Sequence, residues 1–549
     1  MLVNDERQSQ AGFILATPRL NAVLRATSVA LGVSTICLFW LLDPLITSTH
    51  DAIYHWDGSW SQLFVIPLLD FFLFWLLLAS VLLFARGRLR VAIWCGILAL
   101  TPWIEINNWS YLSHKKIPYW LSFLVLALGL SAFPLLMALW RSKFEEKFKQ
   151  VEEFATCVFV FSAVSGILIL SRYGWIGWEA RALNVEMPLH KAAHDSLVQG
   201  GRPRVIWLLF DELSYQQVYE RRFPGLQLPG FDALAAQAAV FTHTVPAGSM
   251  TAIVVPSLLT GASVDEIQPS IDVRRLSLHN PDTKAWRQLD EHDTVFQDAL
   301  NLDYDTAVAG WFNPYCRILP DVLEHCFWAF GSSANNSMAP RASFESNLMQ
   351  PWKHFFRDGL GYRVASLFVD VSDLSEVEAG QHISDYVALT AAADRILEDQ
   401  TAGFALIHMP IPHPNGIYDR KTDRFVVKDS GYVDNLALAD QFLRHVRTKL
   451  EESGQWDTST IVVMGDHSWR TTYIWKDLPE WTKEEQTASR GGQFDDRPAY
   501  IVKLAGQHDG LRIDAPFAAL RTRRLFDALL EQKIRSKEEL SAWARQSGH

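Results

Sequence analysis

"RVIWLLFDELSY", residues 204 to 215, is an uninterrupted apolar run that ends abruptly in two acids, Asp211 and Glu212. A strand with one face in water alternates apolar and polar residues, so a continuous run of this length reads as a strand buried on both faces. Two later stretches repeat the pattern. "STIVVMGDHSWR", residues 459 to 470, ends in Gly465, Asp466 and His467. "GFALIHMPIPHPNG", residues 403 to 416, places His408 at a strand end and His413 in a proline-braced loop. Between them "DNLALADQFLRHVRTKLEESG", residues 434 to 454, repeats its apolar residues at helical spacing. Strand alternating with helix predicts an α/β domain whose mostly parallel sheet carries helices on both faces. In such sheets ligands bind beyond the carboxyl ends of the strands, where these acids and histidines fall.

The rest of the chain obeys a different solvent. Residues up to about Arg172 are dominated by Leu, Phe, Trp, Val and Ala. Five apolar segments, 27–46, 63–84, 91–106, 119–140 and 154–171, mostly approach the roughly 20 residues that a helix needs to cross a bilayer. The third is short and holds Pro102 and Glu105. Arg86, Arg88 and Arg90 precede it, and Arg141, Lys143, Lys147 and Lys149 follow the fourth. The loops "STHDAIYHWDGSWS" and "NNWSYLSHKK" carry less positive charge and more aromatics. The positive-inside rule therefore puts the N-terminus and the basic loops in the cytoplasm. Five crossings then leave everything after Tyr173 outside. No charged start leads into a short apolar stretch with a small-residue cleavage site, so a removable signal peptide is not expected. The expected organisation is a cytoplasmic N-terminus (1–26), a five-helix transmembrane domain (27–172), a linker (173–204), a catalytic domain (205–535) and a C-terminal tail (536–549).

Cysteine usage agrees with that topology. Cys37, Cys95 and Cys157 lie in the apolar segments, where a thiol behaves as a small hydrophobe. Cys316 and Cys326, ten residues apart, are expected to form a loop-closing disulfide in an oxidising compartment, with metal binding beside His325 as the alternative. A net charge of −11 argues against a nucleic-acid partner, which requires a basic patch. Nothing in the sequence sets an oligomeric state.

Three strand ends thus gather Asp211, Glu212, His408, His413, Asp466 and His467. Carboxylate with imidazole is a ligand mixture for zinc, while oxygen ligands also suit manganese, magnesium or calcium. Singly, each residue has a plainer reading. An Asp after a strand is usually a turn residue or helix cap, and a lone His an ordinary polar side chain. Their joint occurrence at strand ends is what points to a site.

"VIWLLFDELSY", "SMTAIVVPSLLTG", "HMPIPHPNGIYD" and "IVVMGDHSWR", in that order, resemble the alkaline phosphatase/sulfatase superfamily over roughly residues 201 to 535. The likeness is strongest to its membrane-anchored bacterial branch, which includes phosphoethanolamine and phosphoglycerol transferases. The resemblance implies an alkaline phosphatase-like α/β/α sandwich. In the sulfatase signature the nucleophile stands ten positions before the glycine of Leu-Thr-Gly, which here is Gly261 and gives Thr251. Ile253 and Val255 occupy the places of the signature's proline and arginine. Threonine cannot become the formylglycine of true sulfatases, so the resemblance favours the transferase branch. Ser249 remains an alternative nucleophile, Ser257 reads as structural, and Thr251 can at the same time cap a helix.

In that chemistry Asp211, Asp466 and His467 hold a divalent cation, zinc before the others, with Glu212 a less certain fourth ligand. Thr251 then attacks phosphorus to give a phosphothreonine. The resemblance implies that His413 protonates the leaving group or binds a phosphate oxygen. Arg470 and Arg317 are candidate anion clamps. Asn313 and Trp311, in "GWFNPYC", are candidate pocket residues, and His408 is either a ligand or a buried structural histidine. The expected protein is a multi-pass enzyme of the bacterial inner membrane with its catalytic domain in the periplasm or outside the cell. It would move a phosphoryl-type group, such as phosphoethanolamine or phosphoglycerol, onto an envelope lipid or glycan. The alternatives are a hydrolase of sulfate or phosphate esters and an inactive membrane-anchored binding protein.

Overall fold

The computed structural model describes residues 18–47, 49–113, 119–139, 143–191, 202–331, 338, 340–353, 373–476 and 481–546. They divide into two units, one formed by residues up to Thr47 and Phe64–Trp178, the other by Ser48–Leu63 and everything from Glu179 onward.

The first unit is helical. Among the described residues four helical stretches are long and apolar enough to cross a membrane: Leu20–Cys37, Ser61–Phe84, Gly87–Ile106 and Phe144–Leu183. Five were expected. The segment expected at 119–140 does form a helix, Tyr119–Leu139, but it is not one of the four, and its flanks at 114–118 and 140–142 lie outside the described residues. The first span also begins earlier than expected. The run 27–46 breaks at Leu38 into Pro18–Cys37 and Phe39–Ile46, which moves the membrane-length helix toward the N-terminus. Two of the polar contacts within the unit join separate helices: Arg90 donates to Glu152, and Asn108 Nδ2 donates to the Ile36 carbonyl.

The second unit is built on an eight-stranded sheet. Its strands are β1 (Val205–Asp211), β2 (Ala239–Phe241), β3 (Asp305–Trp311), β4 (His325–Ala329), β5 (Ala402–Pro412), β6 (Thr460–Gly465), β7 (Tyr500–Lys503) and β8 (Leu511–Ile513). Their spatial order is β8-β2-β7-β6-β1-β5-β3-β4. From β6 through β1, β5 and β3 to β4 every neighbour is parallel, and β7 alone runs antiparallel to both its neighbours. All seven residues of β1 are buried, as the unbroken apolar run requires. Ile206, Leu208 and Phe210 face a core shared with helices Asp373–Glu398 and Tyr432–Glu452, while Trp207 meets Phe526 of helix Thr522–Leu530 on the opposite face. The result is the expected layered α/β architecture with a mostly parallel sheet.

Two boundary regions carry more structure than a linker and a tail would. Residues 173–179 continue helix Phe144–Glu179, and 192–201 lie outside the described residues. Helix Lys537–Arg545 starts with a Ser536/Glu539 capping box and buries Leu540 and Ala544.

Cys316, just past β3, and Cys326, in β4, form a disulfide with their Cα atoms 5.6 Å apart. Closing a loop of this length restricts the unfolded chain by about 2–3 kcal/mol in the loop-entropy model. The Cys316→Ser/Cys326→Ser double variant is therefore expected to melt several degrees lower. An unchanged melting temperature, or two alkylatable thiols in denatured, unreduced protein, would contradict the staple.

Candidate active site

The site follows from strand register. Phe210 of β1 pairs with Gly465 of β6, so Asp211 and Asp466 are each the next residue on adjacent parallel strands. Gly465 is required by close approach, since a Cβ there would meet the Leu213 carbonyl oxygen at 2.5 Å. Asp211, Asp466 and His467 consequently offer ligand atoms all within 4.8 Å of one another, every one of them buried. His467 Nε2 lies 3.3 Å from Asp466 Oδ2 and 3.6 Å from Asp211 Oδ1. Thr251 enters from the other side as the first residue of helix Thr251–Thr260. Its hydroxyl donates to Asp466 Oδ2 at 2.8 Å and sits 3.4 Å from His467 Nε2.

Electrostatics make this cluster a candidate site for a cation. Both Asp211 oxygens are buried with no hydrogen-bond partner. Burial first, then the charges of Asp466 and Glu212, hold the Asp211 carboxyl well above the usual carboxylate range. An unpaired buried carboxylate beside a second one is costly, and a divalent cation removes that cost. The tautomer of His467 agrees. Its Nδ1 faces the Ser468 carbonyl at 3.2 Å, and because a carbonyl can only accept, the proton sits on Nδ1. Nε2 then presents a lone pair to the carboxylates, as a metal-bound imidazole does. The residues present therefore fit a divalent metal.

Glu212 does not join them. Its backbone is left-handed, φ 64°, which turns the side chain away from Asp211. Both of its oxygens accept from Trp475 Nε1, and Arg470 pairs with the same carboxylate. Arg470 is thus occupied as a counterion, and it also reaches the Ser249 carbonyl. The second expected clamp, Arg317, lies over the Trp328 ring, 5.1 Å from its centroid, and burial pushes its guanidinium down to about 10. Ser249 is exposed, whereas buried Ser257 donates to the Ile253 carbonyl and accepts from Val264 N, a structural role.

His413 stands in the proline-flanked loop where it was expected, and His408 falls elsewhere. His408 is not at a strand end, because β5 continues to Pro412 and His408 pairs with Leu209 inside it. The prolines that suggested a loop are tolerated because β3 stops pairing at Ile407 and the β1 pairing shifts register between Phe210 and Asp211. His408 Nδ1 meets the Tyr315 hydroxyl at 2.9 Å, and Nε2 is buried without a partner. Burial takes this ring down to about 4, so it is neutral. His413 follows β5 directly. Its Nδ1–H donates to the Pro414 carbonyl, and burial followed by the charges of His382 and Arg470 holds it well below the ordinary range. Its ring lies 4.9 Å from Trp475 and 5.6 Å from Trp311. Asn313, fully buried, has an unpartnered Nδ2.

Sequence reading missed Tyr315, His382 and Trp475. His382 stands on a helix and donates to the Pro410 carbonyl, and Tyr315 packs so tightly on Gly310 that a Cβ there would overlap its ring at 2.2 Å. The glycine was the available signal for Tyr315. For His382 and Trp475 there was none.

The family model described as Sulfatase matches residues 203–500. Among solved structures, the chain is similar to a phosphonate monoester hydrolase of Agrobacterium radiobacter (16% identity, 60% of this chain and 74% of that one, TM-score 0.37). It is also similar to a sulfatase from Pseudoalteromonas sp. (16%, 60% and 68%, 0.37) and to an alkaline phosphatase superfamily protein from Vibrio parahaemolyticus (14%, 64% and 74%, 0.33). No curated protein matches.

The raised Asp211 carboxyl has a signed consequence for metal-stripped protein. The folded state keeps a proton that the unfolded chain releases near pH 4, so stability is full below that pH and falls as pH rises toward the folded value. Chelated protein is expected to melt lower at pH 7 than at pH 5. Added zinc should remove most of that difference, and Asp211→Asn should flatten it. A slope that survives in Asp211→Asn would place its origin elsewhere.

Proposed function

The chain belongs to the sulfatase family, and we propose that it is a membrane-anchored, metal-dependent member that transfers a phosphoryl-type group through Thr251. The groups we favour are phosphoethanolamine and phosphoglycerol, and the acceptor is an envelope lipid or glycan. The observation that carries this reading is the Thr251 hydroxyl, 2.8 Å from Asp466 Oδ2 and beside the Asp211–Asp466–His467 cluster. No other hydroxyl of residues 246–261 has a described contact with that cluster: Ser249 is exposed and Ser257 is bonded within its own helix.

Asp211, Asp466 and His467 would hold the divalent cation, zinc first among the candidates, which supplies Lewis acidity to the nucleophile and to a phosphoryl oxygen. Thr251 Oγ attacks phosphorus in line, its proton passing toward Asp466, and the bond from phosphorus to the donor alcohol breaks as that oxygen takes a proton from solvent. The product is a phosphothreonine. His413, neutral at rest with Nδ1–H fixed on Pro414, holds a lone pair at Nε2 and so accepts the proton of the incoming acceptor hydroxyl in the second half-reaction. The acceptor oxygen displaces Thr251 Oγ, which takes its proton back from Asp466, and His413 passes the acceptor's proton to solvent, so the threonine is regenerated.

A threonine nucleophile supports transfer because it cannot become the aldehyde that sulfate-ester hydrolysis uses in the family. Four membrane-length helices on the same chain favour a lipid-borne donor. With the apolar helix Tyr119–Leu139 as a fifth crossing, the basic loops and the Cys316–Cys326 bridge support a catalytic unit on the oxidising side of a bacterial cell membrane. Water in place of the acceptor would give a phosphate-ester hydrolase with the same residues in the same roles.

Thr251→Ala is expected to lose on the order of 10³-fold or more in turnover while still binding zinc, and Thr251→Ser to keep measurable activity. Peptide mapping after brief incubation with extracted membrane lipids should find the added mass on Thr251. Mass spectrometry of envelope lipids and glycans, with and without the protein, names the group moved. An active Thr251→Ala enzyme would end this reading, and release of the group to water alone would convert it to the hydrolase.

A further inference from the structure

The segment Ser48–Leu63 belongs to the catalytic unit, although the helices on either side of it in sequence belong to the other. Its residues grip three consecutive positions at the end of β3. Tyr54, buried at the end of the short helix Asp51–Tyr54, donates its hydroxyl to Asn313 Oδ1 at 3.0 Å. The His55 ring packs against Phe312 and Phe330, with centroids at 4.4 and 4.9 Å. Asp57 pairs with Arg341 at 2.6 Å, and Arg341 pairs with Asp385 at 3.0 Å. Asp385 in turn accepts from Trp311 Nε1 and Gly331 N. Trp311, Phe312 and Asn313 are thus each held, directly or through two intermediates, by one short segment. The middle residue needs such support, because Phe312 has φ 71°, a backbone that a side chain with a Cβ rarely adopts.

The held turn borders the active site. Trp311 lies 5.6 Å from His413 and 6.2 Å from His408, ring to ring. Two residues past Asn313, the Tyr315 hydroxyl meets His408 Nδ1. Because Tyr54 occupies Oδ1 of Asn313, the amide NH2 is turned the other way, buried and toward Tyr315, whose hydroxyl also meets His408. Asn313 Nδ2 and His408 Nε2, both buried with hydrogen-bond capacity to spare, suit the oxygens of an oxyanion.

Resting on the reading of the site given above, we infer that Tyr54 is a positioning residue, which orients Asn313 so that its amide N–H binds a substrate phosphoryl oxygen. The active site is then incomplete without the segment Ser48–Leu63. Without the Tyr54 hydroxyl the Asn313 amide is free to turn over, presenting its carbonyl oxygen and repelling the anion it should hold.

The test uses full-length protein in lipid nanodiscs, loaded with zinc and titrated calorimetrically with inorganic phosphate. Tyr54→Phe should weaken phosphate about 5- to 10-fold with zinc affinity unchanged and the protein still folded. Asn313→Ala should weaken it similarly, and the double variant should be no worse than Asn313→Ala alone, because the hydroxyl acts only through the amide. Phosphate bound equally by wild type and Tyr54→Phe, or effects that add in the double variant, would overturn the inference and leave the reading of the site standing. A wild type that takes up zinc but no phosphate would overturn both.

Discussion

Two carboxyl groups forced together in a buried place govern the structure around them. β1 and β6 are buried throughout and lie side by side in the middle of the sheet, and the register that pairs Phe210 with Gly465 makes Asp211 and Asp466 neighbours. Low-dielectric surroundings make it costly to ionise both, so Asp211 holds its proton well above the usual carboxylate range. The neighbouring groups read as responses to that cost. Thr251 donates a hydrogen bond to Asp466, and the third acid, Glu212, is rotated away and neutralised by Arg470. Were Glu212 to face its neighbour, the site would hold three carboxylates with no cation supplied by the protein. The Arg470–Glu212 pair therefore acts as a closed account beside an open one.

A second layer surrounds that charge. His408, His413 and His382 are all kept neutral by burial, and with Trp311 and Trp475 they form a wall of rings on the β5 side. A neutral imidazole can receive a proton without first losing one, which suits a site whose metal and nucleophile both favour anionic partners.

How far the sequence could be read follows from what kind of signal each residue leaves. Asp211, Asp466 and His467 were legible because each interrupts a long apolar run, and the strand that the run predicts carries them to one edge of the sheet. Thr251 was legible through spacing from Gly261. Glu212 was misjudged because sequence adjacency to Asp211 says nothing of a left-handed backbone between them. His408 was assigned to a strand end because prolines at 410 and 412 read as a loop, whereas a strand losing one neighbour accepts them. Tyr54 lies 259 residues from the amide it touches, and no local pattern encodes a meeting of that kind. In the apolar half, length and composition located the helices, but Leu38 divided a run that hydropathy alone joins.

Glu212, Phe312 and Asn415 stand just past the ends of β1, β3 and β5, and all three have left-handed backbones despite carrying side chains. Each such residue costs on the order of 1–2 kcal/mol relative to glycine, so the rim of the sheet stores strain where the chemistry sits. The side chains at the rim hold this strain in place. Glycine at Glu212 would leave buried Arg470 unpaired, and glycine at Phe312 would empty a ring-lined space, each a loss of about 3–5 kcal/mol that exceeds the strain released. A lineage released from its catalytic duty would therefore keep the bent rim for stability alone, and a silent site would still look built.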